Sequence, residues 1–322
     1  MFGAGLVSLT LLAQIPAVRR HERVTYVYDL DGRPTAVARS SAEAVPGRAV
    51  RTETAASVNS RPVTLETVEE RVIRQGPGER IVEIFIQRYD QDGRPTPPEK
   101  ILREERTGPA GKRTEQTSVY RADLNGRFSL AERSVTTSSE SGGRIRSETR
   151  IERPSIHGAF EVAERRLTAE TRKDGEIYRE VTIEQARPGS GFEVAAKEVT
   201  EIFRSEDREV TKTVRYNTAA TGRLSLAAKT VREIERHPDG TETTLVSIYG
   251  VAPPGRPAGP AGEAYLREQQ RIERTRGPGG AVIERFSVSR PSLADQRLGP
   301  FIPISEVVCK GDCEESSLAA KK

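Results

Sequence analysis

Three histidines, His21, His157 and His237, and two cysteines, Cys309 and Cys313, supply all the imidazole and thiol chemistry of the chain. His157 stands directly before Gly158 and His237 opens HPDG, so both read as turn residues. No nucleophile elbow, zinc-ligand spacing or His/Cys pair accompanies them. A site assembled from separate loops stays open as the alternative, most naturally a carboxylate pair in a carbohydrate-active or other polymer-hydrolysing extracellular enzyme. Nothing in the sequence selects two acids from 47, so no catalytic, cofactor-binding or metal-binding residue is assigned and no cofactor is expected.

The cysteines lie in CKGDC, where Gly311 lets the chain turn, and a local Cys309–Cys313 disulfide is expected in an exported protein. A redox or metal pair is the alternative, although the usual C-x-x-C spacing is absent. TGPAGKRT resembles the end of a phosphate loop through Gly111, Lys112 and Arg113, but Arg106 stands where that pattern needs glycine. Gly111 is therefore read as a turn residue. RIRSETRIER places Arg144, Arg146 and Arg150 on one strand, where they would contact phosphates or pair with Glu148 and Glu152. The interleaved acids and the scarcity of aromatic platforms favour pairing over nucleic-acid binding.

Composition points the same way. The chain has 322 residues, 35% of them hydrophobic and 5% aromatic, with no tryptophan and 30% charged side chains. A compact enzyme core is hard to build from this material, whereas a β-sheet with one modestly apolar face is not. The 51 basic and 47 acidic residues leave a net charge of only +4, too small to argue for a polyanionic partner. The opening MFGAGLVSLTLLAQIPA reads as a signal peptide over 1–17, with an N-terminal strand or a misassigned start as the alternative. No other run suggests an integral membrane span. A secreted, periplasmic or envelope-associated location is expected.

YDLDGRPT at 28–35 recurs as YDQDGRPT at 89–96. Asp31-Gly32 and Asp92-Gly93 favour turns, and Pro34 and Pro95 constrain the exit. Through Tyr28, Asp29, Gly32 and Arg33, then Tyr89, Asp90, Gly93 and Arg94, these strings resemble the YD repeats of the RHS repeat family. That resemblance implies extended β-strands in large secreted wrapping or shell-like structures, some associated with toxins or cell-surface interactions. Tyr28, Arg33, Tyr89 and Arg94 join Arg144, Arg146 and Arg150 as candidate surface contacts.

The strongest internal signal has a period of 32 residues: Phe128, Phe160, Phe192 and Leu224, then Leu130, Val162, Val194 and Leu226, then Val135, Leu167, Val199 and Val231. The third series has the opposite parity to the first two. A β-bulge near Ala131, Ala163, Ala195 and Ala227 would return all three to one face, and a switch of buried face is the competing explanation. Turns fall about every 16 residues, which leaves strands of about twelve. The expected fold is all-β, an elongated antiparallel meander of long hairpins forming a shallow single-layer sheet or an open sandwich. The repetitive domain covers 18–250, a Pro/Gly-rich linker 251–262, a further hairpin 263–299 and a tail 300–322; a short helix around Ala264 to Arg274 is entertained. The function that follows is a noncatalytic β-repeat scaffold or protein-interaction module, its partner an envelope protein, a surface glycan or a second copy.

Overall fold

The computed structural model describes residues 19–313 apart from 30, 57–61, 156, 188, 190, 220, 252–263, 293–296 and 312. The expected signal peptide, most of the linker and the end of the tail lie outside the described residues. Alternating Val, Ile, Thr and charged residues between Gly, Pro and Asp punctuation produce strands almost everywhere else. They are β1 (Arg19–Tyr28), β2 (Pro34–Val45), β3 (Arg48–Ala56), β4 (Pro62–Gly76), β5 (Glu79–Arg88) and β6 (Glu99–Thr107). The central set is β7 (Arg113–Ala122), β8 (Phe128–Ser141), β9 (Arg144–Pro154), β10 (Phe160–Lys173), β11 (Glu176–Arg187) and β12 (Gly191–Arg204). The chain closes with β13 (Arg208–Thr218), β14 (Leu224–Arg236), β15 (Glu242–Gly250), β16 (Tyr265–Arg276), β17 (Val282–Ser289) and β18 (Ile302–Gly311).

Each strand pairs antiparallel with the next, as the meander requires, but the sheet has no free edge. β1 pairs with β2 on one side and with β18 on the other, His21 opposite Gly311 through Val27 opposite Ser305. The fold is thus a closed 18-stranded barrel, which corrects the expected open sheet or sandwich. Closure satisfies both rows of backbone groups that an open meander would leave at its edges, and sheet twist supplies the curvature. The entertained helix is also corrected: β16 pairs through nearly its whole length with β15 and β17, and a helix there would orphan both ladders.

The bulges fall where parity requires them. Pairing skips Ala131, Ala163, Ala195 and Ala227, leaving each without a cross-strand partner. As a result Phe160, Val162 and Leu167 lie opposite Pro154, Glu152 and Glu148, all on one face. Further skips at Val37, Leu65, Arg267 and Ile304 carry larger side chains, so a small residue is not a requirement of the bend. The shared face is no sealed core, because a single-layer wall has no second layer to cover it: Phe128, Leu167, Phe192 and Leu224 remain exposed. The buried aliphatic side chains Val82, Ile151, Ile234 and Val288 sit on the opposite face. The two surfaces are called below the Phe160 face and the Ile151 face.

Candidate functional site

The ends of the barrel are built differently. At one end, where even-numbered strands turn into odd ones, four of the links have only two residues, among them Gly142-Gly143, where both residues have positive φ (56° and 72°), the two-residue hairpin conformation that follows sheet twist. These turns are tied into the wall: the amides of Val72, Thr107 and Arg172 donate to the carbonyls of Gly47, Gly78 and Gly143. At the other end the links are longer, and several close on themselves. Asp29 Oδ1 accepts from the amides of Asp31 (2.9 Å) and Arg33 (2.8 Å), and Asp90 and Asp123 repeat that arrangement. The repeated YD string is therefore a capped turn whose first aspartate, not the Asp-Gly pair alone, does the holding. ADLNGR at 122–127 is a third copy without the tyrosine, which hides it from a Tyr-Asp pattern.

Strand pairing assigns every side chain to a face, and both faces are ionic. On the Phe160 face, Arg48 binds Glu69 (2.7 Å), Arg165 binds Glu184, Lys212 binds Glu201 (2.9 Å) and Arg285 binds Glu306 (2.7 Å). On the Ile151 face, Arg51 binds Glu66 (2.8 Å), Arg153 binds Glu132 (2.9 Å) and Arg204 binds Glu209 (2.8 Å). Aromatic rings concentrate on the Phe160 face, where cations lie over several of them: Lys100 over Tyr120 (5.1 Å), Arg165 over Phe192 (4.8 Å) and Lys229 over Tyr249 (5.0 Å). A lipid-facing barrel wall needs a continuous apolar band, and each Arg or Lys held at the bilayer midplane costs about 2–4 kcal/mol. Neither face meets that requirement.

A cavity of about 1140 Å³ is lined mainly by Ile151-face residues of β9 to β13, Glu170 among them. Glu170 is 5% exposed and binds Arg172 Nε through one oxygen and Arg179 Nε through the other, both at 2.6 Å. Burial pushes the carboxyl pKa up, but the hydrogen bonds and charges of Arg179 and Arg172 outweigh it and hold Glu170 below the ordinary range. Among the described residues every carboxyl with a resolved shift is lowered: Glu69 by a hydrogen bond from Arg71, Asp239 by the Thr241 amide, and Glu268 by Gln270 and then Arg290. A general acid for glycoside cleavage needs the opposite shift. No described group of three or more His, Cys, Asp or Glu is placed to hold a metal ion.

The sequence-derived contact residues do not converge. Tyr28 and Arg33 flank the β1–β2 turn, and Tyr89 and Arg94 flank the β5–β6 turn at the same end. The Tyr28 hydroxyl donates to Glu306 at 3.3 Å; burial, then the Glu306 charge, raises its pKa. Arg144, Arg146 and Arg150 lie on the Phe160 face of β9, where Arg150 binds Glu148 at 2.8 Å, the pairing read from the sequence. Cys309 and Cys313 form the expected disulfide at the end of β18. The Glu170 cluster was missed altogether. The only signal for it was two arginines, Arg172 and Arg179, placed on opposite sides of the Asp174-Gly175 turn, so that hairpin closure brings both to one carboxylate.

No protein-family model and no curated protein matches the sequence. Solved structures with the same architecture are porins. A triple mutant of the Rh. blastica porin superposes with a TM-score of 0.51 over 91% of this chain and 99% of its own, at 8% identity. Acinetobacter baumannii OccAB4 gives a TM-score of 0.48 at 9% identity, covering 91% of this chain and 97% of its own. The first likeness establishes a porin-like barrel fold.

Proposed function

We propose that this chain is a noncatalytic β-repeat scaffold of the cell envelope or secreted compartment, a closed barrel that stands in water and presents its wall and turns to other components. The observation that carries this reading is the ion-paired rows on both faces. Whichever face looks outward meets its surroundings with arginine, lysine and glutamate, which water and polar partners accommodate and hydrocarbon does not. The resemblance to YD repeats, with its shell-like secreted assemblies, supports the same class of function. The lowered carboxyl pKa values weigh against the hydrolase alternative.

A second reading, a pore through an outer membrane, is favoured by one observation, the porin-like fold. Flotation separates the two. The purified chain without its first 17 residues is predicted to stay monodisperse without detergent and to remain at the bottom of a density gradient when mixed with phospholipid vesicles. Co-flotation that survives carbonate washing, with stepwise conductance in a planar bilayer, would establish the pore.

A further inference from the structure

We infer that the Glu170 cluster is a binding site for a tetrahedral oxyanion, a phosphate or sulfate group. This goes beyond the scaffold reading and holds whether or not that reading does. The buried carboxylate lies beneath two guanidiniums, and its two oxygens are spent on their Nε atoms. Arg172 and Arg179 are 52% and 42% exposed, and both line the cavity. One negative charge is set against two positive ones, leaving a net positive charge at the cavity floor. Glu170 fixes both planar forks by their Nε edges, which is the preorganisation that multidentate recognition of an oxyanion uses.

The surroundings strengthen the site. In the strand register Glu170 lies opposite Ile145 on one side and Arg179 on the other, while Arg172 lies opposite Ile177. Of the other carboxylates of the cavity, Glu164 is bound to Arg166, Glu193 to Arg187, and Glu198 lies opposite Arg215, so five arginines line the cavity with four glutamates and one positive charge is left over. Arg215, also lining the cavity, donates to Asn217 at 3.3 Å and has no carboxylate within ion-pair distance among the described residues. A tetrahedral anion has enough oxygens to engage two forks at once, which suits it better than a halide or a single carboxylate.

The test is isothermal titration of the purified chain with inorganic phosphate and, separately, inorganic sulfate, at ionic strength held constant with sodium chloride. Saturable binding of at least one of the two is expected. Arg172→Gln and Arg179→Gln should each weaken it about tenfold or more, whereas Arg208→Gln on the other face should leave it unchanged. Arg172→Lys keeps the charge and its partner but loses the planar fork, and should cost severalfold with the fold intact. Saturable binding of phosphate or sulfate that is equal in the wild type, Arg172→Lys and Arg179→Gln would overturn the assignment, as would chloride producing the same heat.

Discussion

The two ends of the barrel solve the same problem, reversing a strand, by different means. At the tight-turn end the carbonyls of Gly47, Gly78 and Gly143 accept from amides of the following strand, so these three turns are stitched into their neighbours. At the long-turn end Asp29, Asp90 and Asp123 cap their own loops. Exposed apolar side chains follow the same division. Leu124, 95% exposed, Val251 and Ile302 lie at the long-turn end, against Val45, Ile73 and Phe203 at the other. A stitched turn resists change and a self-capped one tolerates it, so substitutions are predicted to cost less at the long-turn end.

The comparison can be broken most directly with glycine substitutions. A Cβ at Gly143 would come within 3.0 Å of the Arg172 carbonyl oxygen in a left-handed conformation, whereas one at Gly222 meets nothing within 4 Å. Gly143→Val should cost about 3 kcal/mol in urea unfolding, and Gly222→Val about 1–2 kcal/mol, from backbone strain alone. Equal losses would mean that the ends are not differently anchored.

Glu170 tests the wall between the ends. Its lowered pKa means that its contribution is complete above its unfolded value near 4.5 and fades as pH falls through the folded one. Glu170→Gln should destabilise by about 1–2 kcal/mol at pH 7, discounted for the half-exposed arginines, and the gap to wild type should close in acid. A pH-independent gap would show that the ion pairs contribute nothing. Asp123→Ala, which removes two capping hydrogen bonds, should cost about 1 kcal/mol and increase amide exchange only in its own turn. The smallest effect belongs to Arg208→Ala: it loses the Glu233 pair on the solvated wall and should leave the unfolding midpoint unchanged within error.

Local features were readable in the sequence where they repeat. The parity switch between Val162 and Leu167 demanded a bulge, and Ala163 and its three counterparts are where it occurs. The hairpins were equally legible from glycine spacing. Closure was not, because the β1–β18 seam joins opposite ends of the chain through residues that carry none of the repeat signal. The stretch from Ala264 to Arg274 left room for a short helix because its charged and apolar residues permit both periods, and only the neighbouring ladders decide between them. Glu170 was invisible because one carboxylate among many acquires its role from burial and two partners in register, neither of which a linear reading contains.

The central claim, that both faces of the wall meet water, is tested most directly by paired labelling. Ala169 on the Phe160 face and Arg166 on the Ile151 face are both exposed, near the middle of β10. Ala169→Cys and Arg166→Cys, made separately with the native disulfide intact, should react readily with an anionic, membrane-impermeant thiol reagent, and adding phospholipid vesicles should change neither rate. Selective protection of one position by vesicles would show that its face contacts lipid and would contradict the account.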